Sequence, residues 1–308
     1  MLQSPEVASA YCGALVGCAS EGGGPSEEQD RIIGALAVAV FGSAEDAFEP
    51  MAPEAVAGAI IDRQWRHRLV QMMILLEFAC HPPRPAMADA VERYAAVLDV
   101  HDTMLALGRD ALEEKRQRLV ADYGRFAAAP PVEPELAGVD DDALATTLRS
   151  LGSCAAGTLG RAFFDFYDRF TLPFPGEPNG GGAHLVAHDF THVIAGYEPV
   201  PIDELALQAM LVAATDGDEH FTALVAVLGL SEVGMLAFPD VEPKVNLLQR
   251  LGATEALADA VRRGQECHLD FEAVDHLALV DEPLADVRRR LRIPARAGQP
   301  PLPSRGRS

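Results

Sequence analysis

The stretch His188-Asp189-Phe190-Thr191-His192 is followed, after eleven residues, by Glu204. Residues four apart lie on one face of a helix, so His188 and His192 turn their rings toward one spot, with Asp189 beside them. The run Gly196-Tyr197-Glu198-Pro199-Val200-Pro201 breaks that helix and puts Glu204 in the first turn of the next. Two imidazoles with one or two carboxylates suit zinc or a comparable divalent ion, Fe2+ and Mn2+ included. Acids and imidazoles converging inside a folded core are costly unless something neutralises them. Asp189 either ligates or orients a histidine, because its short side chain holds the carboxylate close to the helix. The same shortness argues against the water-activating role that glutamate plays in His-Glu-x-x-His metalloproteases. His184, one further step of four back, extends the stripe but adjoins a Gly-rich loop and reads as solvent-facing. A metal-dependent phosphohydrolase would need basic residues for phosphate near the site, and few flank it.

Helical periodicity dominates the elements that must position these residues. A long helical pattern covers Pro53 to Ala79, and Asp102 caps another in which Leu105, Leu112 and Leu119 repeat. Residues 127–142 turn Pro-rich and acidic, as a linker does. Helical patterns resume at 142–150, 157–170, 183–195, 201–214, 220–230, 241–251, 254–265 and 282–291. Thr171–Gly182 is a Gly/Pro loop leading into the His-bearing helix. The expected fold is all-α, a multi-helix bundle of two helical domains. Residues 1–128 form the first domain, 129–140 the linker, 141–295 the metal-binding domain and 296–308 a disordered basic tail.

Composition narrows the function classes. Apolar residues make up 49% of 308, enough for a sizeable core, and the formal charge of −21 repels phosphate backbones. Nucleic acid is therefore excluded as an expected partner. The five cysteines are scattered without a Cys-x-x-Cys pair and read as buried or free thiols. No uncharged apolar run approaches the roughly 20 residues of a membrane span; Leu69–Cys80 comes nearest and Glu77 interrupts it. The first residues carry neither a basic signal segment nor the arginines of a transit peptide, so the expectation is a cytoplasmic protein. Asp62-Arg63-Gln64-Trp65-Arg66-His67-Arg68 is the one locally basic helical stretch, and it reads as a solvated face with one buried aromatic.

His188, Asp189, His192 and Glu204 in this order and spacing resemble the signature of the coenzyme Q (ubiquinone) biosynthesis protein four family. Three further segments agree. Gly157–Phe163 resembles that family's helix opening, His192-Val193-Ile194-Ala195-Gly196-Tyr197 its continuation, and Glu282–Arg288 its closing helix. The resemblance covers roughly residues 141–295. Glu198-Pro199-Val200-Pro201 departs from it where smaller residues are expected.

The resemblance implies an all-helical fold and a divalent metal, usually zinc, held by the four motif residues. It also implies work on a polyprenylated quinone precursor, with removal of the ring carboxylate and hydroxylation at that carbon. A lyase or decarboxylase on a prenylated hydroxybenzoate is one form of this. The alternative is a non-catalytic lipid-binding scaffold that organises other quinone-biosynthesis proteins, with peripheral contact at the inner face of a membrane. Candidate substrate contacts are Arg161, Phe164, Tyr197 and Met210. Phe163, Phe166, Tyr167, Leu205, Leu207, Leu211 and Val212 either line a prenyl groove or form ordinary core. Val225–Leu230 and Gly234–Phe238 divide in the same way between a membrane-facing patch and core.

Overall fold

In a computed structural model, which describes residues 4–43, 47–81, 84–101, 141–178, 180, 182–215, 218–232, 245–267 and 269–297, the protein is all-α. The helices are α1 (Pro5–Ala19), α2 (Glu27–Phe41), α3 (Pro53–Ala59), α4 (Arg63–Phe78), α5 (Pro85–Leu98), α6 (Asp142–Ser150) and α7 (Leu159–Phe170). They continue with α8 (His184–Ala195), α9 (Pro201–Ala214), α10 (Asp218–Ser231), α11 (Ala253–Cys267) and α12 (Leu284–Arg290). The described residues contain no sheet. An isolated antiparallel bridge joins Thr158 to Pro283.

Local chemistry sets the helix boundaries. The single helix expected over 53–79 is two, because Ile60 is extended (φ −102°, ψ 99°) and Asp62 starts α4 afresh. Asp62 Oδ1 accepts from Gln64 N at 2.8 Å and Trp65 N at 3.1 Å, satisfying two of the free donors of the first turn. Asp62→Ala is expected to cost about 1 kcal/mol. A lower urea midpoint at unchanged slope is the expected signature, and an unmoved midpoint would mean that packing alone holds the start of α4. The helix expected at 241–251 shortens, among described residues, to a 3-10 turn at Leu247–Gln249. The expected helix after Asp102, the linker at 129–140 and the patch at 234–238 lie outside the described residues.

On either side of that linker the helices share one buried cluster, running from Ala8 to Ile293. Helix α11 packs on α9 and also on α2. The α9–α11 approach is close because residue 264 is glycine; a Cβ there would lie 2.2 Å from the Met210 carbonyl. Arg68 reaches from α4 to donate to Ala213 O at 2.7 Å, at the end of α9. Trp65 is buried against Tyr11 and Phe41, and Arg66 donates to the carbonyls of Ala57, Ile60 and Leu98. Trp65, Arg66 and Arg68 thus serve packing between helices. No helix among the described residues is long and apolar enough to cross a membrane.

Candidate metal centre

Helix α8 carries the two histidines, and its C-terminal end is fixed by unusual means. Gly196 adopts the left-handed conformation (φ 78°) and ends the helix, with its N–H and that of Tyr197 both bonded to His192 O. The other terminal carbonyls are taken by arginines. Arg288 donates to Val193 O at 2.9 Å and Ile194 O at 2.8 Å, and Arg263 donates to Ala195 O at 2.6 Å. Cations at a helix C-terminus also offset the partial negative charge there. Arg288 comes from the closing helix α12. The segments 157–163 and 280–284 meet as well, through Leu159 N to Glu282 O and Leu284 N to Gly157 O, both 2.9 Å. Pro201 opens α9 and places Glu204 in its first turn, as its position in the sequence requires. Arg296, which composition assigns to a disordered tail, instead clamps both carboxylate oxygens of the buried Asp203, at 2.6 and 3.0 Å.

These supports bring His188, His192 and Glu204 together. The Nε2 atoms of the two histidines are 3.1 Å apart. Glu204 offers one oxygen to each, Oε2 at 3.4 Å from His188 and Oε1 at 3.1 Å from His192. Bonds of about 2.0–2.1 Å around a tetrahedral ion put neighbouring ligand atoms about 3.3 Å apart. The observed separations fit that spacing, so the three residues could hold a metal ion, and they are the one such group among the described residues. Two ring nitrogens facing each other and a carboxylate across a gap this short need a proton or a cation between them. Below, Phe166 stacks on His192, whose side chain is 1% exposed, and Phe190 is stacked between Phe163 and His276. The stack leaves the His192 ring little freedom to turn.

Asp189 stands apart from this triangle. Its Oδ2 accepts a hydrogen bond from the Tyr167 hydroxyl. Burial pushes the Asp189 carboxyl up, and the Tyr167 hydroxyl and the imidazoles only partly offset that. Burial and the adjacent Asp189 push the Tyr167 phenol up as well, so the phenol keeps its proton and donates it. Burial works against ionising Glu204, but the two imidazoles outweigh it and hold its carboxyl down at about 2. For His188, burial favours the neutral ring, yet Glu204, Asp189 and Glu272 together raise its pKa above the ordinary value. Tyr167→Phe removes the donor that parks Asp189. Zinc affinity, read by competition with a chromophoric chelator, is expected to fall about tenfold, the effect typical of an outer-shell partner. Unchanged affinity would detach Asp189 from the centre.

The other candidates are placed as follows. Arg161 pairs with Asp165 at 2.7 Å and donates to Gly152 O. Phe164 stacks on Phe174, and Met210, Leu205, Leu207, Leu211 and Val212 are buried core. Tyr197 is buried between the guanidinium groups of Arg263 and Arg296, each 4.9 Å from its ring, with its hydroxyl unpartnered. A cleft of about 400 Å³ lies beside His192, bordered by Phe166, Arg169, Val193 and Tyr197. His184 begins α8, but its side chain lies outside the described set. Arg263 and Arg296 had no signal in the sequence, since their partners, the Ala195 and Pro294 carbonyls and the Asp203 carboxylate, lie far away in the chain. Arg288 closes the 282–288 segment, but its contact with the end of α8 had no signal either. Compared with known protein families and with curated proteins, the chain matches none.

Proposed function

We infer that the chain is a metal-binding protein of quinone biosynthesis of the ubiquinone type, acting on a polyprenylated aromatic precursor. The observation carrying this reading is the His188–His192–Glu204 triangle, with donor atoms 3.1–3.4 Å apart at the edge of a cleft. The resemblance of residues 141–295 to the coenzyme Q biosynthesis protein four family supplies the substrate class. Nitrogen and carboxylate donors suit Zn2+ best, with Fe2+ and Mn2+ as the alternatives. A bound divalent ion would supply Lewis acidity to a carboxylate or phenol oxygen of the ring. Glu204, whose carboxyl the two imidazoles hold well below its ordinary value, lowers the charge of that centre. Asp189, held by Tyr167, is a positioning residue that steadies the turn of α8 carrying both histidines. Phe166 covers one face of the His192 ring. Loss of the ring carboxylate releases CO2, and the electron pair left on the ring carbon takes up one proton from solvent. Hydroxylation at that carbon is a two-electron oxidation and needs an external oxidant such as dioxygen whichever metal is bound; zinc, which is not redox-active, would not activate it.

The test is incubation of the zinc-, iron- or manganese-loaded protein with a prenylated 4-hydroxybenzoate, followed by mass spectrometry of the product. Loss of the carboxylate, abolished by His188→Ala, is the expected outcome. A metal-loaded protein that binds the precursor and leaves it unchanged would instead favour the lipid-binding scaffold.

Metal binding is expected to depend on pH in a defined direction. The raised His188 pKa means that its ion pair with Glu204 is fully formed below the ordinary histidine value and is lost as pH rises through the raised one. A metal occupies the position of that proton, so affinity climbs by up to about tenfold per pH unit through this window, then levels off. Zinc titrations between pH 5.5 and 8.5 check it; a flat profile would mean that His188 does not ligate.

A further inference from the structure

Away from the candidate metal centre, Glu232 is buried completely and pairs with one titratable side chain. It follows the end of α10 and is 0% exposed. Its Oε2 accepts from Leu248 N at 2.7 Å, and its backbone carbonyl accepts from Asn246 N at 2.9 Å. Glu232 thus ties residues 246–248, at the entry to α11, back to the end of α10. Its Oε1 lies 2.8 Å from Nε2 of His81, just beyond the end of α4. His81 belongs to the N-terminal helices, whereas α10 and α11 belong with the helices that carry His188, His192 and Glu204.

A carboxylate stripped of water needs a countercharge, and removing its one cationic partner leaves a buried charge uncompensated. Among the described residues His81 is the partner that can supply it. The other charged groups around the end of α4 are engaged elsewhere. Arg84 donates to Cys80 Sγ, Gly24 O and Gln29 Oε1, and Glu28 on α2 lies 3.6 Å from Arg31. Burial pushes the Glu77 carboxyl on α4 up to about 8, so it stays uncharged through neutral pH. The His81 side chain is 31% exposed, and its ring exchanges protons with solvent. The hydrogen bond to Glu232 raises the His81 pKa above its ordinary value of 6.5; the charges of Glu232 and Glu28 add to the rise and burial opposes it. The ion pair is therefore complete below pH 6.5 and is lost as pH rises through the raised value.

We propose that His81 and Glu232 form a pH-sensitive latch between the N-terminal helices and the entry to α11, closed while His81 carries its proton and released when it loses it. The element it biases is the segment 246–248, whose Asn246 and Leu248 N–H groups are bonded to Glu232. Helix α11 packs on α2 and α9 and sends Arg263 to the end of α8, so the latch is linked through α11 to the helix that carries both histidines. The latch does not depend on metal binding.

Hydrogen exchange of the full-length protein, read by mass spectrometry between pH 6 and 8.5 and corrected for the intrinsic pH dependence of amide exchange, tests it. Peptides covering 245–250 are compared with peptides of α1, so that a change in global stability cancels. The ratio of their protection should fall by about threefold or more as pH rises through the window. In His81→Gln, which keeps a donor without the charge, the ratio should start low and stay level. In His81→Lys, which keeps a cation throughout, it should stay level and high. A ratio that ignores pH in the parent, or that falls equally in the parent and in His81→Gln, would overturn the proposal. If His81→Gln fails to fold, His81→Lys decides, a level ratio supporting the latch and a parent-like fall overturning it. If neither variant folds, the parent series decides alone. No metal is added, so the outcome stands apart from that of the metal centre.

Discussion

His192→Ala is expected to weaken zinc binding by about a few hundredfold, the largest effect of any single substitution at the centre. Structural zinc sites with four ligands bind with about 10–16 kcal/mol, so each ligand contributes on the order of 3–4 kcal/mol. His192 sits at the corner closest to both partners, 3.1 Å from His188 Nε2 and 3.1 Å from Glu204 Oε1. With the ring gone, the buried side of the triangle has no described residue to replace it, because Phe166 lies directly beneath. Asp189→Asn should cost only about 10–100-fold, since Asp189 is not among the three converging donors and its Oδ2 accepts from the Tyr167 hydroxyl. Competition titrations on the two variants check the order. If Asp189→Asn proved the more damaging, Asp189 would be a ligand and Tyr167 its support.

The second large effect lies outside the site. Arg263→Met is expected to destabilise the fold by about 3 kcal/mol and to loosen the metal centre with it. Arg263 is 1% exposed; it donates to Ala195 O at 2.6 Å and Pro294 O at 3.0 Å and lies over the Tyr197 ring. Methionine fills much of the volume but leaves the buried Ala195 carbonyl without its donor, at about 1–3 kcal/mol, and the partly buried Pro294 carbonyl as well. Ala195 ends the helix that carries both histidines. Urea unfolding of the zinc-free protein measures the stability change, and zinc affinity measured below the transition reports the coupling. A stable variant with normal affinity would show that Arg288 and Gly196 suffice to end α8.

The features legible in the sequence are those fixed by neighbours along the chain. Four-residue spacing placed His188 and His192 on one face, Gly196 and Pro201 marked the break, and Glu204 followed in the first turn. Features made by distant contacts were not legible. Nothing in Pro53–Ala79 as a pattern outweighs its apolar periodicity, yet Asp62 interrupts it by taking two backbone N–H groups for its side chain. The aliphatic residues after Glu204 looked equally fit for a groove or a core; their burial against α11, made possible by Gly264, decides for core. The contacts of Arg263 and Arg288 with the end of α8 were not legible, because a carbonyl acceptor leaves no trace in residue identity.

Elemental analysis of the purified protein, beside a His188→Ala/His192→Ala double variant, bears most directly on the metal centre. About one equivalent of metal in the parent, absent from a variant with the same helical circular dichroism, is the expected finding. A parent that takes up no metal after incubation with zinc, iron or manganese would leave the His188–His192–Glu204 triangle as an ion pair of the folded helices and nothing more.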